Sequence, residues 1–239
     1  MKQKFFYFKK IRFFYNNYKE IMSILDKNGG YLVAPAASAL IEINKNKIYY
    51  NSLLKSDIAI LDSGFFCILV RLFYKISIKK FSGYKFINFV INDKKIKKKR
   101  FLLVNPSKID TKLNENLLKK FNFKNFKSYE APIYNLKKNI KDEKLLKIIR
   151  KIKPNYILIN IGGLKQEPLA LYIKENINFK ISIFCTGAAI AFLTKRQAPI
   201  NEIVDKFYLG WAIRLLFNPI NTYKRFFKSF LLIAFFIKN

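Results

Sequence analysis

Short apolar runs alternate with segments of helical periodicity along most of the chain. Runs of about five residues rich in Ile, Val, Leu and Phe are typical of buried strands, whereas longer segments with apolar residues three or four apart are typical of helices. The predicted strands are 31–35, 56–61, 101–105, 128–132, 155–161 and 180–185. The predicted helices are 36–44, 65–74, 84–90, 113–121, 142–152 and 166–176. This alternation predicts an α/β fold, a Rossmann-like parallel sheet with helices on both faces.

The fifth predicted strand ends in Gly162 and Gly163, and the polar triplet Lys165-Gln166-Glu167 then opens a helix. In open α/β sheets, ligands bind where strands end. Glycines let a ligand approach the backbone, and a helix N-terminus offers free N–H groups to a phosphate. An ordinary strand–helix turn explains the same residues, and the segment is neither a Walker loop nor a GxGxxG fingerprint. Both interpretations stay open at this point.

Two further strand ends carry residues suited to chemistry. The second predicted strand is followed by Asp62, Ser63 and Gly64, where a carboxylate is well placed for catalysis. A helix N-cap or an Asx turn explains the same aspartate. The last predicted strand is followed by Thr186 and Gly187, small residues that permit close approach of a nucleotide.

Composition and charge narrow the choice of partners. The chain is 51% hydrophobic and 17% aromatic, which excludes wholesale disorder. Its 46 Lys and Arg against 15 Asp and Glu give a formal net charge of +31, which favours nucleic acid, anionic lipid or phosphorylated substrates. A bias towards Lys, Ile, Asn, Phe and Tyr, as expected of an AT-rich genome, accounts for the same charge. We therefore expect the basic run at 92–100 to be an exposed loop.

The chain contains no histidine. This excludes histidine metal sites, Ser-His-Asp triads and histidine bases, so a general base must be Asp, Glu, Tyr or Lys. Cys67 and Cys185 lie in apolar runs, and we expect them to be buried free thiols in a reducing compartment.

The two ends of the chain combine aromatic and basic residues. Residues 1–20 are compatible with an anionic lipid interface or with a first strand and helix packed on the core, and both remain open. Residues 219–239 predict a basic amphipathic helix that is shorter than the roughly twenty residues of a membrane span. With no small-residue cleavage site near the N-terminus, we expect a cytoplasmic protein on a membrane surface.

The order of the motifs resembles the bacterial WecG/TagA/CpsF glycosyltransferase family between residues 30 and 225. The matching residues are Asp62-Ser63-Gly64, Arg71, Ser82-Gly83, Gly162-x-x-Lys165-Gln166-Glu167, Ala198-Pro199, Trp211-x-x-Arg214-Leu215 and Arg225. The resemblance implies an inverting transferase that moves a sugar from a UDP-sugar to a polyprenyl-diphosphate-linked sugar in cell-surface polymer synthesis. It implies a domain at 1–205 and a membrane-docking appendage at 206–239, on the inner face of the plasma membrane.

The resemblance also assigns roles to residues. Asp62 is the implied base. Arg214 and Arg225 are implied to neutralise the acceptor diphosphate, since guanidinium geometry suits phosphate. Substrate binding is implied for Gly64, Arg71, Ser82, Gly83, Gly162, Gly163, Lys165, Gln166, Glu167, Thr186 and Gly187. The family implies neither a metal nor another cofactor, so Arg, Lys and helix N–H groups would stabilise the leaving group.

Five positions depart from the family pattern: Ala34, Ala36, Ala191, Gln197 and Gly210. The two alanines replace a Thr-x-Asn segment that contacts substrate, so the donor sugar is left open. The departures suggest a divergent branch and permit a member without activity. A basic nucleic-acid-binding protein and a membrane-bound scaffold are the alternatives, although no nucleic-acid signature is present. A homo-oligomer is left open.

Overall fold

The computed structural model describes residues 4–187, 189–197, 213, 216–217 and 219–237. The described strands are β1 (Phe5–Phe8), β2 (Ile11–Phe14), β3 (Gly30–Val33), β4 (Ile58–Ile60), β5 (Phe101–Asn105), β6 (Phe126–Glu130), β7 (Tyr156–Ile159) and β8 (Ser182–Cys185). They form one eight-stranded sheet in the order β1-β2-β4-β3-β8-β7-β5-β6. All neighbouring strands are parallel except β1 and β2.

Helices cover both faces of this sheet. The described α-helices are α1 (Tyr18–Asn28), α2 (Ala37–Leu40), α3 (Lys47–Leu54), α4 (Gly64–Tyr74), α5 (Gly83–Asn92), α6 (Lys108–Lys120), α7 (Glu143–Ile152), α8 (Gln166–Asn176), α9 (Ala189–Leu193), α10 (Pro219–Phe230) and α11 (Leu232–Ile237). Alternate strand residues enter two separate apolar clusters, one packed against α3, α4, α7 and α8, the other against α1, α5 and α6. The predicted Rossmann-like α/β fold is confirmed.

The N-terminal segment forms part of the core. β1 and β2 are an antiparallel hairpin whose turn residues Lys9 and Lys10 both have positive φ, 45° and 62°. Two such residues are typical of a type I′ turn, which usually carries Asn or Gly, and two lysines are therefore no signal of a turn. Phe8 and Phe13 are fully buried. A strand and helix packed on the core was therefore the correct alternative for the described part of this segment.

Several element boundaries differ from the predictions. The predicted helix 36–44 is α2 followed by a 3-10 turn, Ile41–Asn44, and α3 was missed. β6 begins two residues before the predicted 128. α6 begins at Lys108 because Ser107 caps it by accepting a hydrogen bond from the Asp110 N–H. Its polar first turn carries no apolar periodicity, which hid the true start.

The C-terminal helices contribute buried side chains to the hydrophobic core. Leu232 and Phe236 are buried, and the Phe236 ring stacks on Phe8 with centroids 4.7 Å apart. Cys67 and Cys185 are buried and free, as predicted. Among the residues described, no helix has the length and apolar character needed to cross a membrane.

Candidate active site

A cavity of about 380 Å³ opens where β3, β4, β7 and β8 end, within the usual range of small-molecule sites. It is bounded by α10 on the side away from the sheet. The sequence-predicted site residues that line it are Asp62, Gly64, Ser82, Gly162, Gly163, Gln166, Glu167, Thr186, Gly187 and Arg225. Parallel strands bring their carboxyl ends to one edge, so motifs far apart in the sequence meet there.

Three other predicted residues, all described, are not part of this lining. Gly83 is the first residue of α5 and donates its N–H to Asp62. Lys165 is the residue before α8. The Arg71 guanidinium donates from Nε and Nη2 to the carbonyl of Ile78 and so holds the loop after α4. Arg214 lies outside the described residues.

Asp62 lies directly after β4 and faces the cavity while partly exposed. Its Oδ1 accepts a hydrogen bond from the Gly83 N–H at 2.8 Å. Ser63, not Asp62, caps α4 by accepting from the Phe66 N–H. Because Ser63 caps α4, Asp62 is not the N-cap of that helix. Its carboxylate lines the cavity while Oδ1 accepts from the first N–H of α5.

Gly83, Thr186 and Ala34 pack closely beside Asp62. A Cβ placed on Gly83 would lie 3.3 Å from the Thr186 Cβ and 3.5 Å from the Ala34 Cβ. Thr186 is only 7% exposed, and its Oγ1 has no hydrogen-bond partner among the described residues. A buried hydroxyl without a partner is unusual in a folded protein.

Glu167 is the most deeply buried charged group of the cavity, at 1% exposure. Its Oε2 accepts from the Leu164 N–H at 2.9 Å and its Oε1 from Gln166 Nε2 at 3.0 Å. Burial raises the pKa of this carboxyl to about 7, although these hydrogen bonds and its own backbone N–H oppose the rise. Glu167 therefore titrates near neutral pH.

The start of α8 does not offer the free N–H groups expected from the sequence. The Glu167 carboxylate accepts from the Leu164 N–H, the Gln166 N–H donates to the Gly162 carbonyl at 3.4 Å, and Pro168 has no N–H. The helix N-terminus already has a carboxylate of its own. The tight turn also differs, because positive φ falls on Leu164, at 71°, rather than on the glycines. Gly162 and Gly163 border open space on the cavity side.

Gln166 joins the turns after β7 and β8. Its Oε1 accepts from the Gly187 N–H at 2.8 Å, while its Nε2 donates to Glu167. Gly187 has φ of 60°, a conformation that favours glycine. Both ends of the Gln166 amide thus serve the protein in this structure.

Among the described lining residues, Lys80 and Arg225 carry the positive charge. Lys80 was not predicted as a site residue. It is one of 46 Lys and Arg residues, and nothing in the sequence distinguishes it from its neighbours. Lys80 and Arg225 line the same cavity as Asp62 and Glu167, so the described lining carries charged groups of both signs.

The side of the cavity next to α10 is apolar. Phe65, Phe226 and Phe230 line the cavity there, and the alanines Ala34 and Ala36 add apolar surface to its lining. The Phe65 and Phe230 rings meet edge to face with centroids 5.3 Å apart. The helix α10 is further tied to the domain by an ion pair between Lys228 and Glu42. In the part of the chain that the structure describes, no group of three Asp, Glu or Cys side chains could hold a metal ion.

Comparison with known proteins agrees with this geometry. A model of the glycosyl transferase WecG/TagA/CpsF family matches residues 12–239, nearly the whole chain, and the chain therefore belongs to that family. No curated protein matches it. The family implies a glycosyltransferase that works in the synthesis of a cell-surface polymer.

Proposed function

From this family membership, we propose that the protein transfers a sugar from a UDP-sugar to a polyprenyl-diphosphate-linked acceptor sugar, with inversion at the anomeric carbon. The supporting observation is that Asp62, the turns after β7 and β8, and Arg225 all line one cavity. Those elements would hold the acceptor hydroxyl, the nucleotide sugar and the lipid diphosphate respectively. The replacement of polar residues by Ala34 and Ala36 leaves the identity of the sugar open.

In the proposed reaction, Asp62 takes the proton of the acceptor hydroxyl, and the hydroxyl oxygen attacks the anomeric carbon of the donor. The bond from that carbon to the diphosphate oxygen breaks, and UDP leaves with the electron pair. Oδ1 is held by the Gly83 N–H, so the carboxylate has a fixed orientation. In this proposal Lys80, which lines the cavity, stabilises charge on the departing diphosphate, and Arg225, in the same lining, binds the acceptor diphosphate.

The proposed membrane contact is the outer surface of α10 together with α4, as part of a docking unit at 206–239 on the cytoplasmic side of the membrane. The exposed apolar side chains on these helices include Ile68, Leu72, Tyr223, Phe227 and Phe230, and the exposed Leu231 follows α10 directly. Lys224, Arg225 and Lys228 lie on the same helix. An apolar surface with basic residues suits a helix lying in an anionic lipid interface.

The transferase proposal is tested by offering a panel of UDP-sugars with a polyprenyl-diphosphate-linked acceptor to the wild type and to Asp62→Asn. Glu175→Gln is the matched control, because its carboxylate pairs with Lys55 on the surface and lies outside the cavity lining. We expect product from one donor, lost in Asp62→Asn and kept in Glu175→Gln.

A binding measurement separates a wrong donor from a wrong function. UDP at one hundred times its Kd adds roughly 2.7 kcal/mol, which raises Tm by about 5–11 °C for a domain of this size. No product and no shift with UDP would contradict the proposal. Product formed equally well by Asp62→Asn would contradict the assigned base.

The membrane surface is tested by cosedimentation with vesicles of phosphatidylglycerol or phosphatidylcholine. We expect binding to the anionic vesicles, with Lys224→Gln weakening it by about 1 kcal/mol, roughly fivefold. Lys119→Gln, at the exposed end of α6, is the control for charge alone. Equal losses in both variants would show that net charge rather than α10 directs binding.

A further inference from the structure

We propose that Glu167 is a positioning residue that decides, through Gln166, whether the backbone N–H of Gly187 is available to an anionic ligand in the cavity. The proposed function supplies the class of ligand, a nucleoside diphosphate. The hydrogen bonds that connect Leu164, Glu167, Gln166 and Gly187, which we call the relay, are present in the protein without a ligand.

Three hydrogen bonds form the relay. The Gly187 N–H donates to Gln166 Oε1 at 2.8 Å, Gln166 Nε2 donates to Glu167 Oε1 at 3.0 Å, and the Leu164 N–H donates to Glu167 Oε2 at 2.9 Å. An ionised carboxylate can only accept hydrogen bonds. The amide nitrogen of Gln166 must therefore face Glu167, which leaves its oxygen to take up the Gly187 N–H.

Protonation of Glu167 reverses this requirement. A proton from solvent bound to Oε1 makes that oxygen a donor, and it then needs an acceptor where Nε2 now stands. Rotation of the Gln166 amide by half a turn brings its oxygen to Glu167. The amide nitrogen then faces the Gly187 N–H, where two donors cannot bond, and that N–H becomes free for the cavity.

The surroundings of Glu167 allow it to change charge near neutral pH. The groups that face it are Tyr49 of α3, Tyr31 of β3 and Cys185 of β8, with Asp62, Lys80 and Arg225 elsewhere on the cavity wall. Burial holds the pKa values of Tyr31, Tyr49 and Cys185 above their ordinary values, so these three stay neutral. Its own burial raises the Glu167 pKa to about 7.

Binding of a diphosphate should therefore be linked to uptake of a proton. The anion is repelled by ionised Glu167 and attracted by a free Gly187 N–H, so both effects favour the protonated form. If the protonated form is the one that binds, its fraction falls about tenfold between pH 6 and pH 8, and the apparent Kd for UDP rises by about the same factor.

The relay is tested first in the ligand-free protein by following the backbone amide resonances of Leu164 and Gly187 in NMR spectra from pH 5.5 to 8.5. We expect both to shift with one midpoint near 7. In Glu167→Gln neither should titrate, and in Gln166→Ala only Leu164 should. A Gly187 resonance that does not titrate in the wild type, or titrates equally in Glu167→Gln, overturns the proposal.

Calorimetry of UDP binding at pH 6 and pH 8 then tests the link to the ligand. We expect the wild type to lose about tenfold in affinity over this range and Glu167→Gln to lose only what the titration of UDP itself causes. Equal losses in both proteins overturn the link. Absence of UDP binding would count against the proposed function, while the amide titration still decides the relay.

Discussion

Asp62 and Glu167 enter one cavity from β4 and β7, with β3 and β8 between them, yet their surroundings differ. Asp62 is partly exposed and accepts one hydrogen bond from the Gly83 N–H. Glu167 is 1% exposed and accepts from several donors of its own turn. A carboxylate that is open to the cavity can exchange a proton with a substrate. A carboxylate that is enclosed by its own turn instead affects how the neighbouring groups are arranged. The different surroundings are the basis for the two different roles that we propose for these carboxyl groups.

The largest effect should come from catalysis. Asp62→Asn should lower kcat by about 10²–10⁴-fold, the usual contribution of a general base, with little change in the Kd of UDP. Glu167→Gln should alter the binding of UDP and its pH dependence while kcat at saturation changes much less. Steady-state kinetics of both variants checks this division. Equal losses of kcat in the two would remove the distinction between them.

Stability should depend on pH through Glu167. Its pKa is near 4.5 in the unfolded chain and about 7 in the folded one, so folding favours the protonated form. The stability that this group contributes is present below pH 4.5 and is lost as pH rises through 7, by about 3 kcal/mol.

Urea unfolding of the wild type and Glu167→Gln between pH 4.5 and 8 measures that loss. We expect the free energy of unfolding of the wild type to fall relative to the variant over this range. Parallel curves would mean that Glu167 is ionised in the folded protein throughout.

A smaller effect should follow from Gly83→Ala. The added methyl would lie 3.3 Å from Thr186, so the backbone that donates to Asp62 must shift by a few tenths of an ångström. We expect kcat to fall about tenfold with a change in stability of about 1 kcal/mol or less. Asn51→Ala, an exposed substitution on α3 outside the cavity lining, is the control. An unchanged kcat in Gly83→Ala would show that Asp62 needs no fixed orientation.

The smallest effect concerns coupling between the two carboxyls. They share no hydrogen-bond partner among the described residues, so their contributions to the stability of the free protein should add to within about 0.5 kcal/mol. A double-mutant cycle with Asp62→Asn and Glu167→Gln, read by urea unfolding, measures this. A coupling energy well above that value would mean that the two turns form one network.

Much of the fold and the position of the site could be predicted from the sequence. Apolar periodicity located most of the sheet, and the carboxyl ends of its strands indicated Asp62, Gly162 and Thr186 before any geometry was known. The match of the family model to residues 12–239 confirms the resemblance drawn from the motifs. These signals succeed because they are local, or repeated in a fixed order along the chain.

Other features of the site depend on contacts that form only in the folded protein, and the sequence does not indicate them. Lys80 could not be distinguished in the sequence from the other lysines. It lines the cavity because of the path of the loop before α5. The left-handed conformation of Leu164, beside two glycines better suited to it, follows from the hydrogen bond of its N–H to Glu167. The occupied start of α8 has the same cause. A pattern of residue types does not record which donor meets which acceptor.

The stacking of Phe8 on Phe236 bears on the order in which the molecule can be completed. Synthesis at about 5–20 residues per second separates these rings by on the order of tens of seconds. During that interval the hairpin of β1 and β2 lacks one of the aromatic surfaces that cover it, although Phe66 is already available to it. The apolar cluster on that face is thus assembled in stages and closed by a helix made long after the strands it covers.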